Sequence, residues 1–144
     1  MKVQSLGHVV LNVGNRARSE TFYNEILGLP IVARLDKYQM IFFSLGNHHD
    51  FAIAAVGEDA VGPDKKGVGL QHVAFKVGDD IDALKQAKRD LEAAGVSVRP
   101  VDHGVTKSLY FTDPDGNGLE VYIDASDEWR RDPASIAQTG PLAI

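Results

Sequence analysis

The chain has 144 residues, 44% hydrophobic and 24% charged, which fits one globular domain with a real core and excludes a disordered tail, a collagen-like fibre or a coiled coil. Fifteen basic against twenty acidic residues leave a net charge of −5, which argues against a nucleic-acid or anionic-membrane partner. No cysteine is present, so disulfides, zinc–thiolate sites and cysteine nucleophiles are excluded. No apolar run approaches the ~18 residues that a spanning helix needs. The N-terminus carries His8, Asn12 and Arg16 where a signal peptide needs an apolar stretch, so a cytoplasmic location is expected.

In chain order, Gly7-His8-Val9-Val10-Leu11-Asn12-Val13 reads as a strand. The stretch 16–27 reads as a helix, with Phe22/Ile26 and Tyr23/Leu27 at i, i+4 spacing and Gly28 as its stop. Strands are predicted over 31–35, 39–45 and 51–56, followed by a glycine- and proline-marked linker over 57–68. A second strand-to-helix unit then begins. Gln71-His72-Val73-Ala74-Phe75-Lys76-Val77 repeats the opening motif 64 residues later. Ile81, Leu84, Ala87, Leu91 and Ala94 form one helical stripe that Gly95 ends. Strands over 96–101, 107–112 and 119–124 complete it. The tail, 126–144, holds Trp129, Ile136 and Leu142; it reads equally as a cover for a binding face and as a frayed, solvated end.

Both halves therefore read β-α-β-β-β. The expected fold is α+β: modules 5–56 and 69–125 in a single domain, forming one eight-stranded cup-shaped mixed sheet with helices on the outer face. Strand alternation sharpens this picture, because successive side chains face opposite sides. Val9, Leu11 and Val13 share an apolar face, as do Val73, Phe75 and Val77, Leu109 and Phe111, and Leu119, Val121 and Ile123. The opposite faces carry His8, His72, Tyr110 and Glu120. Two imidazoles and a carboxylate on one side of a metal leave open positions for substrate and dioxygen, the facial arrangement of non-haem iron(II) oxygenases. The repetition of a histidine at the same place in both modules favours a metal site over isolated structural histidines.

These residues resemble the vicinal oxygen chelate superfamily, which includes glyoxalase I, extradiol ring-cleavage dioxygenases, fosfomycin-resistance enzymes and bleomycin-resistance proteins. The resemblance covers about residues 5–125, and Tyr110-Phe111-Thr112-Asp113-Pro114-Asp115-Gly116-Asn117-Gly118-Leu119-Glu120 is its most characteristic stretch. Asp113 to Asn117 reads as a tight turn launching the strand that bears Glu120. The resemblance implies a metal held by His8, His72 and Glu120.

Within that superfamily the chain is most similar to the catalytic domain of catechol 2,3-dioxygenase-type enzymes. His49 in His49-Asp50-Phe51, His103 in Asp102-His103-Gly104, and Tyr110 match the positions at which those enzymes carry active-site residues. The resemblance implies an iron(II) dioxygenase that opens a catechol-type aromatic diol with O2, as in aromatic degradation, with manganese(II) as the substitute metal. His49 would be the acid–base residue, His103 and Tyr110 would hydrogen-bond the substrate oxygens, and Phe43, Phe51 and Ile53 would grip the ring. A homodimer or higher homo-oligomer is expected. Glyoxalase I has a fourth carboxylate ligand in the strand matching 51–56, where this chain offers only the preceding Asp50. The alternatives are a glyoxalase-like isomerase or lyase using zinc(II) or nickel(II), and a resistance-type protein that sequesters a small molecule.

Overall fold

The computed structural model describes residues 1–144, which divide into two compact units, Met1–Pro63 and Asp64–Ile144. In the first unit, β1 (Val9–Val13) leads into α1 (Arg16–Glu20), and β2 (Ile31–Leu35), β3 (Met40–Phe43) and β4 (Phe51–Ala55) follow. In the second, β5 (Val73–Gly78), α2 (Ile81–Ala93), β6 (Arg99–Asp102), β7 (Thr106–Thr112) and β8 (Gly118–Asp124) repeat that order. The two sheets also share a topology: β1-β4-β3-β2 and β5-β8-β7-β6. In each, the first strand lies parallel to the last and the remaining pairs are antiparallel. The chain is thus the α+β duplication that its internal repeat predicts. Its strands form two sheets, one per module, and β9 (Gly140–Pro141) of the tail extends the second to five strands. No helix is long and apolar enough to cross a membrane.

Local chemistry explains both helices. Asn15 caps α1, its side-chain oxygen accepting from the Arg18 N–H at 2.9 Å, and Asp80 caps α2 by accepting from the Ala83 N–H at 2.9 Å. The helix expected over 16–27 departs from α geometry after Glu20. Residues Thr21–Ile26 form a wider π-helical segment, with the Leu27 N–H donating to the Phe22 carbonyl five residues back. The i, i+4 pairs expected there are replaced by adjacent Phe22 and Tyr23, both buried. Tyr23 meets Phe51 and Phe43 with ring centroids 4.9 and 6.1 Å away, forming the aromatic core of the first unit. In α2, Leu84 and Leu91 are buried while Ala94 is exposed, so the stripe is narrower than its spacing suggests. Each fully buried side chain of this size contributes roughly 1.5–3 kcal/mol.

Alternation is obeyed on β1, β7 and β8, whose apolar faces are buried. It fails at one place on β5. The pairing with β8 slips between Lys76 and Gly78, and the bulge turns Val77 outward to 40% exposure instead of under the helix. The tail is not frayed: it forms short 3₁₀ turns at Glu128–Arg130 and Pro133–Ile136 before β9 pairs with β6.

Candidate active site

The second unit carries the densest chemistry. Asp113 is buried, and its carboxylate accepts from the N–H groups of Asp115 (2.9 Å) and Asn117 (2.8 Å), locking the turn that ends β7. β8 then begins at Gly118, where a Cβ would lie 2.1 Å from the Gln71 carbonyl oxygen and 3.3 Å from His72 Cβ. Only glycine permits that close approach. Two residues further on, Glu120 is buried at 7% exposure, and its Oε2 lies 3.1 Å from His72 Nε2.

His72 Nδ1 lies 3.1 Å from the Gln71 side-chain oxygen, an acceptor that suits the tautomer with its hydrogen on Nδ1. In that neutral tautomer the Nε2 lone pair points at a carboxylate oxygen. Two electron-rich atoms at this distance require a shared proton or a cation bound to both, and a divalent metal fits this donor set.

Beside this pair stands a second polar chain. Tyr110 faces Glu120 across β7–β8, and its hydroxyl lies 2.9 Å from His103 Nε2. His103 Nδ1 lies 2.7 Å from the Gln138 carbonyl oxygen, so Nδ1–H donates to the tail and Nε2 accepts the tyrosine proton. Burial, and then the Glu120 charge, push the Tyr110 phenol up to about 12, so it is a hydroxyl donor at any ordinary pH. The Arg99 guanidinium stacks 4.9 Å from the centre of the Tyr110 ring. His72, Arg99, His103 and Tyr110 line a cavity of about 370 Å³. A second, of about 310 Å³, lies between Glu120, Tyr122 and the tail residues Trp129 and Ile136, so the tail reaches the polar face of its own module.

The Asp102-His103-Gly104 hairpin is held by the Asp102 carboxylate. Asp102 accepts from the Gly104 N–H and pairs with Lys107 Nζ, each at 2.7 Å, and these partners, Lys107 foremost, hold its carboxyl below the usual range.

In the first unit, His8 precedes β1 and its ring centroid lies 4.1 Å from that of His49. Desolvation, and then the neighbouring His8 and His48, lower His49 below the usual histidine range, favouring the neutral ring that can accept a proton. Asp50 accepts from the backbone N–H groups of Leu45 (2.6 Å) and Asn47 (3.4 Å), making it a turn residue.

One expectation is corrected. Phe43, Phe51 and Ile53 are 0–1% exposed and belong to the core around Tyr23, so they are not on the polar face. The register explains why: Val9 pairs with Phe51 and Leu11 with Ile53, placing both on the apolar side of β1. The aromatic on the other side is Phe42, 5.3 Å from His49 in an edge-on contact. The β1–β4–β3 register identifies Phe42, and pairing of Arg99 with Tyr110 identifies Arg99. No local signal marks Gln138.

The two modules thus carry a histidine–carboxylate couple in the second and a histidine group in the first, donor sets of the kind that divalent metals take. Residues 5–121 match the Glyoxalase/Bleomycin resistance protein/Dioxygenase superfamily, and the chain belongs to that family. It is 30% identical over 128 residues to a catechol-2,3-dioxygenase of Bacillus subtilis, across 88% of this chain and 44% of that protein. It is 36% identical over 126 residues to biphenyl-2,3-diol 1,2-dioxygenase 3 of Rhodococcus globerulus, across 83% of this chain and 63% of that one. The chain thus spans only about half the length of these dioxygenases. The glutathione transferase FosA of Serratia marcescens is 33% identical, across 84% of this chain and 82% of its own. Among solved structures, a glyoxylase/bleomycin resistance protein/dioxygenase domain from Frankia sp. EAN1pec shares the fold with a TM-score of 0.71 at 23% identity, covering 85% of this chain and 99% of that one.

Proposed function

We propose that the chain is a metal-dependent extradiol ring-cleavage dioxygenase. A catechol-type diol and O2 are converted to a ring-opened semialdehyde that retains both oxygen atoms, and the two modules act as one domain, in the cytoplasm, as a homodimer or higher homo-oligomer. The observation that carries this reading is the pairing of His72 with Glu120 at 3.1 Å beside the His103–Tyr110 couple at 2.9 Å. Similarity to two aromatic-diol dioxygenases supports it.

His8, His72 and Glu120 would hold iron(II), with manganese(II) as the nearest substitute. A metal held there would supply Lewis acidity, lowering the pKa of a diol hydroxyl, and a redox centre for O2. The residues of the chain do the rest. Tyr110 Oη meets a substrate hydroxyl, and a proton arriving there passes to His103 Nε2, whose acceptor lone pair is fixed by the Gln138 carbonyl. Arg99 steadies the Tyr110 ring. His49, held neutral, accepts the proton of the other hydroxyl and returns it later in the cycle. Phe42, rather than Phe43, offers the aromatic surface beside it.

One observation favours a second reading. FosA matches this chain over most of both lengths, as expected for a small metal-dependent transferase, lyase or isomerase that uses no O2. Anaerobic iron loading followed by oxygen uptake with a panel of catechols separates the two. Ring cleavage predicts stoichiometric uptake and a semialdehyde product; absence of uptake with every diol, in a chain that has bound its metal, overturns it.

A further inference from the structure

The first unit brings His48, which ring cleavage does not use, beside His8 and His49. One ring nitrogen from each of His8, His48 and His49 lies within 4.8 Å of the others. The group is held by the backbone: the Val9 N–H donates to the Asp50 carbonyl at 3.1 Å, and the Asn47 side-chain amide donates to the Gly7 carbonyl at 3.3 Å. That second bond orients the amide and turns Asn47 Oδ1 toward His48. Oδ1 then accepts from the His48 backbone N–H at 2.8 Å and from His48 Nδ1 at 3.1 Å. Nδ1 must therefore carry the hydrogen, leaving the Nε2 lone pair free, the arrangement in which an outer partner fixes the tautomer of a metal-binding imidazole.

We infer that His8, His48 and His49 form a second metal site, which takes zinc(II) through three neutral imidazoles with a water in the fourth position. Zinc–nitrogen bonds of ~2.0–2.1 Å place tetrahedral ligand atoms ~3.4 Å apart. The ring nitrogens close to that spacing from within 4.8 Å, and His8 and His48 are exposed side chains with room to turn. All-nitrogen ligation suits zinc(II), nickel(II) or copper(II) better than magnesium or calcium.

The consequence for activity rests on the proposed function. A neutral imidazole offers one lone pair, so His8 cannot serve this site and the set with His72 and Glu120 at once. Zinc here withdraws His8 from the iron ligands and His49 from proton transfer, and so acts as an inhibitor.

The test is zinc binding to the 144-residue His72→Ala/Glu120→Ala chain, measured by equilibrium dialysis and by the d–d spectrum after cobalt(II) substitution. The expected result is one equivalent bound in four-coordinate geometry, with affinity falling at least ~10-fold when His48→Ala is added. No bound zinc in the folded double variant, or an affinity indifferent to His48→Ala, overturns the site. Histidine ring NMR on the unmutated chain guards against misfolding of the variants. Zinc is expected to shift the His48 and His49 resonances with that of His8; an unmoved His48 overturns the inference. Failure of the dioxygenase reading shows separately, as absent oxygen uptake by the iron-loaded chain with zinc binding intact.

Discussion

His103 and Gln138 are 35 positions apart, yet His103 Nδ1 and the Gln138 carbonyl oxygen are joined by a 2.7 Å hydrogen bond. Because a carbonyl can only accept, this bond settles the tautomer of His103 and makes its other nitrogen the acceptor for Tyr110. A tail segment thereby sets the proton inventory of the polar face.

Tyr110 is the first test of that inventory. Its folded-state pKa is raised above the usual tyrosine value of ~10, so the folded chain holds the proton more tightly than the unfolded chain does. The stability from this shift is fully present below about pH 10 and is lost as pH rises toward about 12. Tyr110→Phe should therefore flatten the decline of chemical-denaturation stability over this window, leaving the residual slope from Tyr122, itself raised by burial. Unchanged alkaline behaviour would show that the phenol is not held as described.

Glu120→Ala removes the one carboxylate facing His72. On the proposed reading the variant should lose stoichiometric iron after anaerobic reconstitution, measured by metal analysis of desalted protein. Stoichiometric iron in that variant would reject Glu120 as a ligand.

His49→Ala distinguishes a proton-transfer residue from a ligand. The variant should retain iron and still bind catechol, while oxygen uptake at saturating diol falls by roughly 10²–10⁴, the usual effect of losing a positioned acid–base group. His8→Ala should instead lose metal and turnover together. Wild-type turnover in His49→Ala would remove this residue from the reaction.

Gly118→Ala probes the approach of β8 to the Gln71–His72 segment. The added Cβ meets backbone at 2.1 Å, which cannot be relieved by rotating a side chain. Urea denaturation should show a loss of about 2 kcal/mol or more. Glu120 should be displaced from His72, weakening metal binding in the same variant. A fully stable Gly118→Ala chain with unaltered metal affinity would show that this approach is not constrained.

Elements that depend on near neighbours are legible in the amino-acid order alone. Alternation with period two separates Leu119, Val121 and Ile123 from Glu120, because strand geometry alone sends them to opposite faces. The Asp113–Asn117 turn is likewise legible, since its hydrogen bonds close within five residues. The repeated Gly/Gln-His-Val motif announces the duplication and, through it, the histidine positions in each module. Tertiary structure decided what alternation cannot see. Phe43 and Phe42 are adjacent in sequence, and only the β1–β4–β3 register shows that Phe43 enters the core and Phe42 meets His49. The Val77 bulge and the wide turn after Glu20 also arise where pairing and packing override local period. The His103–Gln138 bond comes from the tail adding a strand to β6, a pairing between distant segments with no short-range signature. Local patterns fix which face a side chain takes because each residue's geometry is set by its immediate backbone; which groups then meet across that face depends on long-range closure of the chain, whose free energy is spread over many contacts and written in no single motif.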